Sequence, residues 1–208
     1  QEKRSLGRDP VRVGELGAAF IQGLQDTGCL ACAKHFPGLG RTTLDTHRER
    51  PRVSLSRAEL AAMELPPFTR AIRAGVAGVM VCHAVFESLD PANPASLSPA
   101  VITGLLRQEM GYDGLVLSDD LEMGAVLADL DPAAAAVRAY LAGCDLLLIC
   151  HGWRHALSAL EQLTDRAISG EIDRQRLEEG AWRIARAKTG LPEPPEELSH
   201  LTRLLSRG

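Results

Sequence analysis

The chain has 208 residues, 45% hydrophobic and 24% charged, an ordinary globular composition that supports a sizeable core and excludes extensive disorder. Its formal net charge of −4 gives no basic surface for nucleic acid or anionic membrane. No apolar run approaches the roughly 20 residues needed to span a bilayer, and no apolar stretch follows the Gln-Glu-Lys-Arg start, so neither a membrane span nor a signal peptide is expected.

In chain order, Asp9 is placed to cap a helix whose first turn holds Pro10, with Val11, Leu16, Ala19, Phe20 and Leu24 at helical spacing and Gly28 as its stop. Leu30 to His35 reads as a short buried strand, and a Gly/Pro-rich loop extends from Phe36 to about Leu55. Ser56-Arg57-Ala58-Glu59 is a capping box that opens a helix to about Ala74. A second apolar strand covers Val76 to His83, and a Pro-rich loop spans 91–97. Ser98-Pro99 starts a helix ending near Met110, and Leu115 to Ser118 forms the third strand. An Ala-rich helix over 132–142 leads to the fourth strand, Asp145 to Cys150, and helices over about 153–168 and 173–188 follow. The remaining Pro/Glu-rich tail is weakly helical from about 195.

Fully apolar strands alternating with helices predict an α/β fold with a parallel sheet covered by helices. Four strands do not close a (β/α)8 barrel, which takes about 250 residues and eight strands. Periodicity leaves two architectures open, a small open sheet or half of a barrel. The five cysteines, Cys29, Cys32, Cys82, Cys144 and Cys150, are expected to be reduced, buried thiols of a cytoplasmic protein. Cys29 and Cys32 form a C-x-x-C pattern, with no second pair at zinc spacing.

Ionisable residues fall just after the strands: Lys34 and His35 after the first, His83 after the second, Ser118-Asp119-Asp120 after the third, His151 after the fourth. In parallel α/β folds these C-terminal strand ends form the active-site face. The loop after the first strand presents Asp45-Thr46-His47, in which Asp45 can accept an imidazole N–H and fix the tautomer of His47. A metal-dependent hydrolase using His35, Asp45, His47, His83 and Asp119 is one reading of this set. A sugar-binding module without catalysis is another. Gly38-Leu39-Gly40 lacks the third glycine of a dinucleotide fingerprint.

Lys34-His35-Phe36-Pro37-Gly38-Leu39-Gly40, Asp45-Thr46-His47, and Leu117-Ser118-Asp119-Asp120-Leu121-Glu122-Met123 together resemble glycoside hydrolase family 3, most closely its bacterial β-N-acetylglucosaminidases that recycle peptidoglycan. Arg4-Ser5-Leu6-Gly7-Arg8-Asp9-Pro10 is similar to that family's Arg-Ser-Phe-Gly-x-Asp-Pro segment, with Leu6 in place of Phe. The resemblance runs from residue 4 to about 190. It implies a TIM-barrel-type catalytic domain over residues 1–190, covering strands five to eight, with 191–208 as a C-terminal tail or helix. It implies a retaining mechanism in which Asp119 is the nucleophile and His47, oriented by Asp45, is the acid/base. Arg4, Lys34 and His35 are then expected to bind the sugar, with His83 and Met123 lining the pocket and Asp120 a structural acceptor. The expected substrate is a carbohydrate carrying terminal β-linked N-acetylglucosamine, such as a muropeptide, and no cofactor or metal is expected.

A histidine acid/base places the usual carboxylate-separation rule out of use, while an imidazole pKa near 6.5 suits both donating and accepting a proton. The family's Asp-x-Glu-Gly-Gly segment is absent from this sequence, so the missing N-terminal half of the barrel is an expected partner, and the 208 residues alone are expected to turn over poorly. β-Glucosidase or β-xylosidase specificity, and phosphate as acceptor in place of water, stay open at this level.

Overall fold

The computed structural model describes residues 5–40, 51–127, 130–189 and 191. Asp9 caps the first helix as its position predicts, accepting the Arg12 N–H at 2.7 Å, with Pro10 in the first turn of α1 (Pro10–Gln25). Strand β1 (Cys32–Phe36) follows, then the two-residue β2 (Arg52–Val53). The capping box at Ser56 is complete: the Ser56 hydroxyl accepts the Glu59 N–H, and the Glu59 carboxylate accepts the Ser56 N–H at 2.9 Å.

One helix was expected from Ser56 to about Ala74. Instead, α2 (Arg57–Glu59) passes through a π turn (Leu60–Glu64) into α3 (Leu65–Arg73). Pro66 and Pro67 explain the break. Neither has an N–H for the carbonyls one turn back, and the chain widens to an i−5 bond from the Leu65 N–H to the Leu60 carbonyl.

Strand β3 (Gly78–Val81), the short β4 (Val85–Phe86), a π-helical segment (Ala100–Glu109) and β5 (Leu115–Asp120) come next. The chain ends its described part with α4 (Gly124–Leu127), α5 (Pro132–Ala142), β6 (Leu146–Leu148), α6 (Trp153–Ser169) and α7 (Arg174–Thr189).

All pairings in the main sheet are parallel, and its order β1-β3-β5-β6 follows the chain. Such an order steps always in the same direction, so right-handed crossovers bring the helices to the same face. Val79, Val81, Val116 and Ser118 are completely buried beneath them. The other face carries one register row, Lys34, Met80, Leu117 and Leu146, of which Lys34 is exposed and the rest are half-buried. Among the described residues the sheet has four strands, with β1 and β6 at its edges. The small β2–β4 sheet, parallel and two residues deep, was not anticipated. Its partners lie some thirty residues apart and carry too few side chains for a periodic signal.

The N-terminal ends of β5 and β6 are tied together from below. Asp145, whose side chain is inaccessible, accepts from the Val116 N–H at 3.0 Å and from Arg107 at 2.6 Å, Arg176 at 3.3 Å and Arg183 at 3.5 Å. Those arginines come from the π-helical segment and from α7, so a single carboxylate fixes two helical layers to the sheet.

The cysteines need correcting. Cys82 and Cys144 are buried, but Cys29, Cys32 and Cys150 are exposed, and all five are free thiols. Cys29 precedes β1, Cys32 opens it on the face that carries Lys34, and Cys150 lies in the loop beyond β6. No helix among the described residues is long and apolar enough to cross a membrane.

Candidate active site

Asp119 stands next to last in β5, at the C-terminal end of the sheet. The strand reaches it by an irregular route. Register slips between Leu117 and Asp120, and side chains complete the ladder to β6. The buried Ser118 hydroxyl accepts the Leu148 N–H at 3.0 Å, the Leu121 N–H donates to the Leu148 carbonyl at 2.9 Å, and Asp120 Oδ1 accepts the Cys150 N–H at 3.2 Å. This widened end leaves the Asp119 side chain 18% accessible. Its Oδ1 accepts the Asp120 N–H at 2.9 Å, and its Oδ2 lies 3.6 Å from His35 Nε2.

Lys34 and His35 reach the same rim from β1. Phe36, completely buried, anchors them by an edge-to-face contact with Phe68 of α3, ring centroids 5.2 Å apart. The Lys34–His35 and Phe36–Pro37 peptide bonds are cis. Beyond them, Gly38 at φ +139° passes so close to Glu64 that a Cβ there would stand 2.8 Å from the Glu64 Cβ. Only glycine fits both that backbone and that contact.

Two residues expected to line the pocket lie deeper. His83 is completely buried. Its Nε2 is 2.9 Å from the Asp120 carbonyl and its Nδ1 is 2.6 Å from the Ser96 hydroxyl. A carbonyl can only accept, so Nε2 carries the proton and Nδ1 accepts from Ser96. His83 therefore braces β5 from behind. Met123 is 7% exposed, at the turn that follows β5. Asp120 acts as the expected acceptor, its Oδ1 also taking the Glu122 N–H at 3.1 Å. His151 points its Nε2 at Asp120 Oδ2 from 3.5 Å. Arg4, Asp45 and His47 lie outside the described residues.

Glu122, quoted in the motif but given no role there, proves central to the rim. Its carboxylate accepts the His151 N–H at 2.5 Å, the Gly152 N–H at 2.9 Å and the His155 Nδ1 proton at 2.7 Å. The His155 hydrogen bond, with the two backbone donors, holds the Glu122 carboxyl down to about 2. Its partners lie some thirty residues further along the chain, and spacing gives no hint of them. Among the described residues no group of three or more His, Cys, Asp or Glu side chains converges to hold a metal ion.

At the C-terminal rim of this parallel α/β sheet stands an accessible carboxylate braced by its own strand, with a histidine 3.6 Å away that comes from β1, two strands over. Residues 1–187 match the family model described as "Glycosyl hydrolase family 3 N terminal domain", and the chain belongs to that family.

Among curated proteins it is similar to a "Beta-hexosaminidase" of Methylococcus capsulatus, 37% identical over 80% of this chain and 49% of that protein. Another "Beta-hexosaminidase", of Thiobacillus denitrificans, is 40% identical over 71% of this chain and 41% of that protein. Among solved structures, a glycoside hydrolase family 3 β-N-acetylglucosaminidase from Paenibacillus sp. superposes with a TM-score of 0.85 at 38% identity, covering 89% of this chain and 38% of that one. The M tuberculosis protein LpqI superposes with a TM-score of 0.80 at 32% identity, covering 89% and 55%. The chain thus spans about half the length of the curated relatives it matches.

Proposed function

We propose that the chain carries the nucleophile half of a retaining β-N-acetylhexosaminidase site. Asp119 attacks the anomeric carbon of a terminal β-linked N-acetylglucosamine and the glycosidic bond breaks. His47 delivers a proton to the leaving oxygen. Water then attacks the resulting glycosyl-Asp119 ester, passing its proton to His47, which Asp45 orients. Lys34, His35 and Arg4 hold sugar hydroxyls. Met123 lines the pocket, and His83 acts from behind the strand. The observation that carries this reading is the Asp119 carboxylate itself, accessible at the end of a parallel strand and 3.6 Å from His35. The names of the relatives support the sugar, while the role in peptidoglycan recycling in the cytoplasm rests on the resemblance of the sequence motifs alone.

We further propose that residues 1–190 are strands five to eight of a TIM-type barrel, with 191–208 as a tail. The strictly sequential strand order supports this, because a doubly wound sheet would reverse direction at a switch point. The half-buried row on the open face, Met80, Leu117 and Leu146, then becomes part of the barrel interior, and the remaining strands are the partner that covers it.

Incubating the full chain with an activated fluoro-sugar, 2-deoxy-2-fluoro or related, and mapping peptides by mass spectrometry tests the chemistry. A single glycosyl adduct on Asp119 is expected, and it is lost in Asp119→Asn. Binding of the sugar without an adduct would reassign the protein as a carbohydrate-binding module.

A further inference from the structure

We infer that Glu122 is a positioning residue for Asp119, acting by locking the loop beyond β6 onto the nucleophile strand. The inference rests on the role proposed for Asp119 and extends it to a side chain that acts through its neighbours.

Three observations meet at this carboxylate. First, Glu122 is nearly enclosed, with a side chain 7% accessible, yet it stays ionised among donors rather than cations of its own segment. Second, α6 begins at Gly152 without any side-chain cap of its own. The N–H groups of His151 and Gly152, which lead into the helix, are taken instead by Glu122 from the turn after β5, where the helix dipole also favours an anion. Third, the segment between Glu122 and Asp119 has little slack. The Glu122 N–H and the Cys150 N–H share Asp120 Oδ1, the Asp120 carbonyl rests on His83, and the Asp120 N–H is bonded to the Asp119 carboxylate.

The chain from Glu122 to Asp119 is therefore a short hydrogen-bonded strip with one end pinned to α6. Releasing that end lets the loop carrying Cys150 move. The acceptor load on Asp120 then changes, and with it the direction in which Asp119 presents its free oxygen. Misplacing a reacting atom by about 1 Å can cost on the order of 100-fold in rate, with little effect on binding.

Glu122→Gln keeps the size but offers a single acceptor oxygen to three donors. Two measurements are made on this variant, on Glu122→Asp and on the wild type. Covalent labelling by the fluoro-sugar is resolved into its maximal rate and its half-saturating concentration. Amide hydrogen exchange is followed across the chain.

For Glu122→Gln we expect a maximal labelling rate about 10- to 100-fold lower with half-saturation within about twofold. Exchange should rise in both 149–156 and 118–123 and stay unchanged in α3, and Glu122→Asp, which keeps the charge, should recover part of the rate. Unchanged labelling in Glu122→Gln, or faster exchange confined to 149–156, would overturn the inference. Labelling of the wild type at a residue other than Asp119 would instead overturn the role of Asp119, and the inference with it.

Discussion

Replacing Asp145 with alanine should destabilise the fold far from the Asp119 rim. The Asp145 side chain is inaccessible, and the three arginines around it are 13–19% accessible. The substitution removes the charge-assisted bond from Arg107 at 2.6 Å and the acceptor for the Val116 N–H at 3.0 Å. It also leaves three guanidinium groups crowded together without their common counter-charge. Breaking a buried ion pair from one side costs about 3–5 kcal/mol, chiefly through the uncompensated charge that remains. Against a total of about 5–15 kcal/mol for a domain, that is a large share. At about 2–4 °C per kcal/mol for 150–250 residues, the midpoint should fall by roughly 6–20 °C. Urea unfolding followed by circular dichroism, with thermal melts alongside, measures both quantities. Asp145→Asn should lose less, because its amide oxygen still accepts the Val116 N–H. A loss below about 1 kcal/mol for Asp145→Ala would show that solvent screens the arginines as it does in surface pairs, and the argument for a buried clamp would fail.

Two further outcomes follow from the geometry. Alkylation near pH 8, read by mass spectrometry, should modify the exposed Cys29, Cys32 and Cys150 in the folded protein and leave Cys82 and Cys144 untouched until denaturant is added. Burial pushes the last two thiols up to about 12, and desolvation raises Cys32 and Cys150 as well, which slows their alkylation near pH 8. The second outcome concerns acid. The carboxyl of Glu122 falls from 4.5 to about 2 on folding, so its contribution to stability is complete above pH 4.5 and is lost as pH drops towards 2. Melting temperature against pH should therefore slope less steeply between those limits in Glu122→Gln than in the wild type. Identical slopes would count against the hydrogen bonds assigned to Glu122.

Much of this architecture was legible in the residues because the local signals agreed. Asp9 and Pro10, the Ser56–Glu59 box, and the apolar runs before Lys34-His35, His83 and Ser118-Asp119 each name an element, with strand ends displaced by one or two residues. What stayed illegible was carried by contacts between distant segments. Glu122 finds its partners beyond β6, and Asp145 gathers arginines from two helices. The depth of His83 was equally hidden. A histidine closing an apolar strand reads as a rim residue, and only its contacts with Ser96 and Asp120 show that it faces inward. The cysteines misled for a related reason: an apolar neighbourhood in sequence does not say which face of the sheet or which end of a strand a side chain occupies, and Cys29, Cys32 and Cys150 are exposed.

The side-chain-completed ladder at the end of β5 bears on how the family's motif should be transplanted. Ser118, Asp120 and Glu122 spend their polar atoms on main-chain donors that regular pairing would otherwise satisfy, and in doing so they open the space in which Asp119 stands. An engineer grafting this aspartate onto another parallel sheet would have to move the whole strip with its receiving loop. A lone aspartate set into a regular strand would arrive with the right functional group and the wrong bearing.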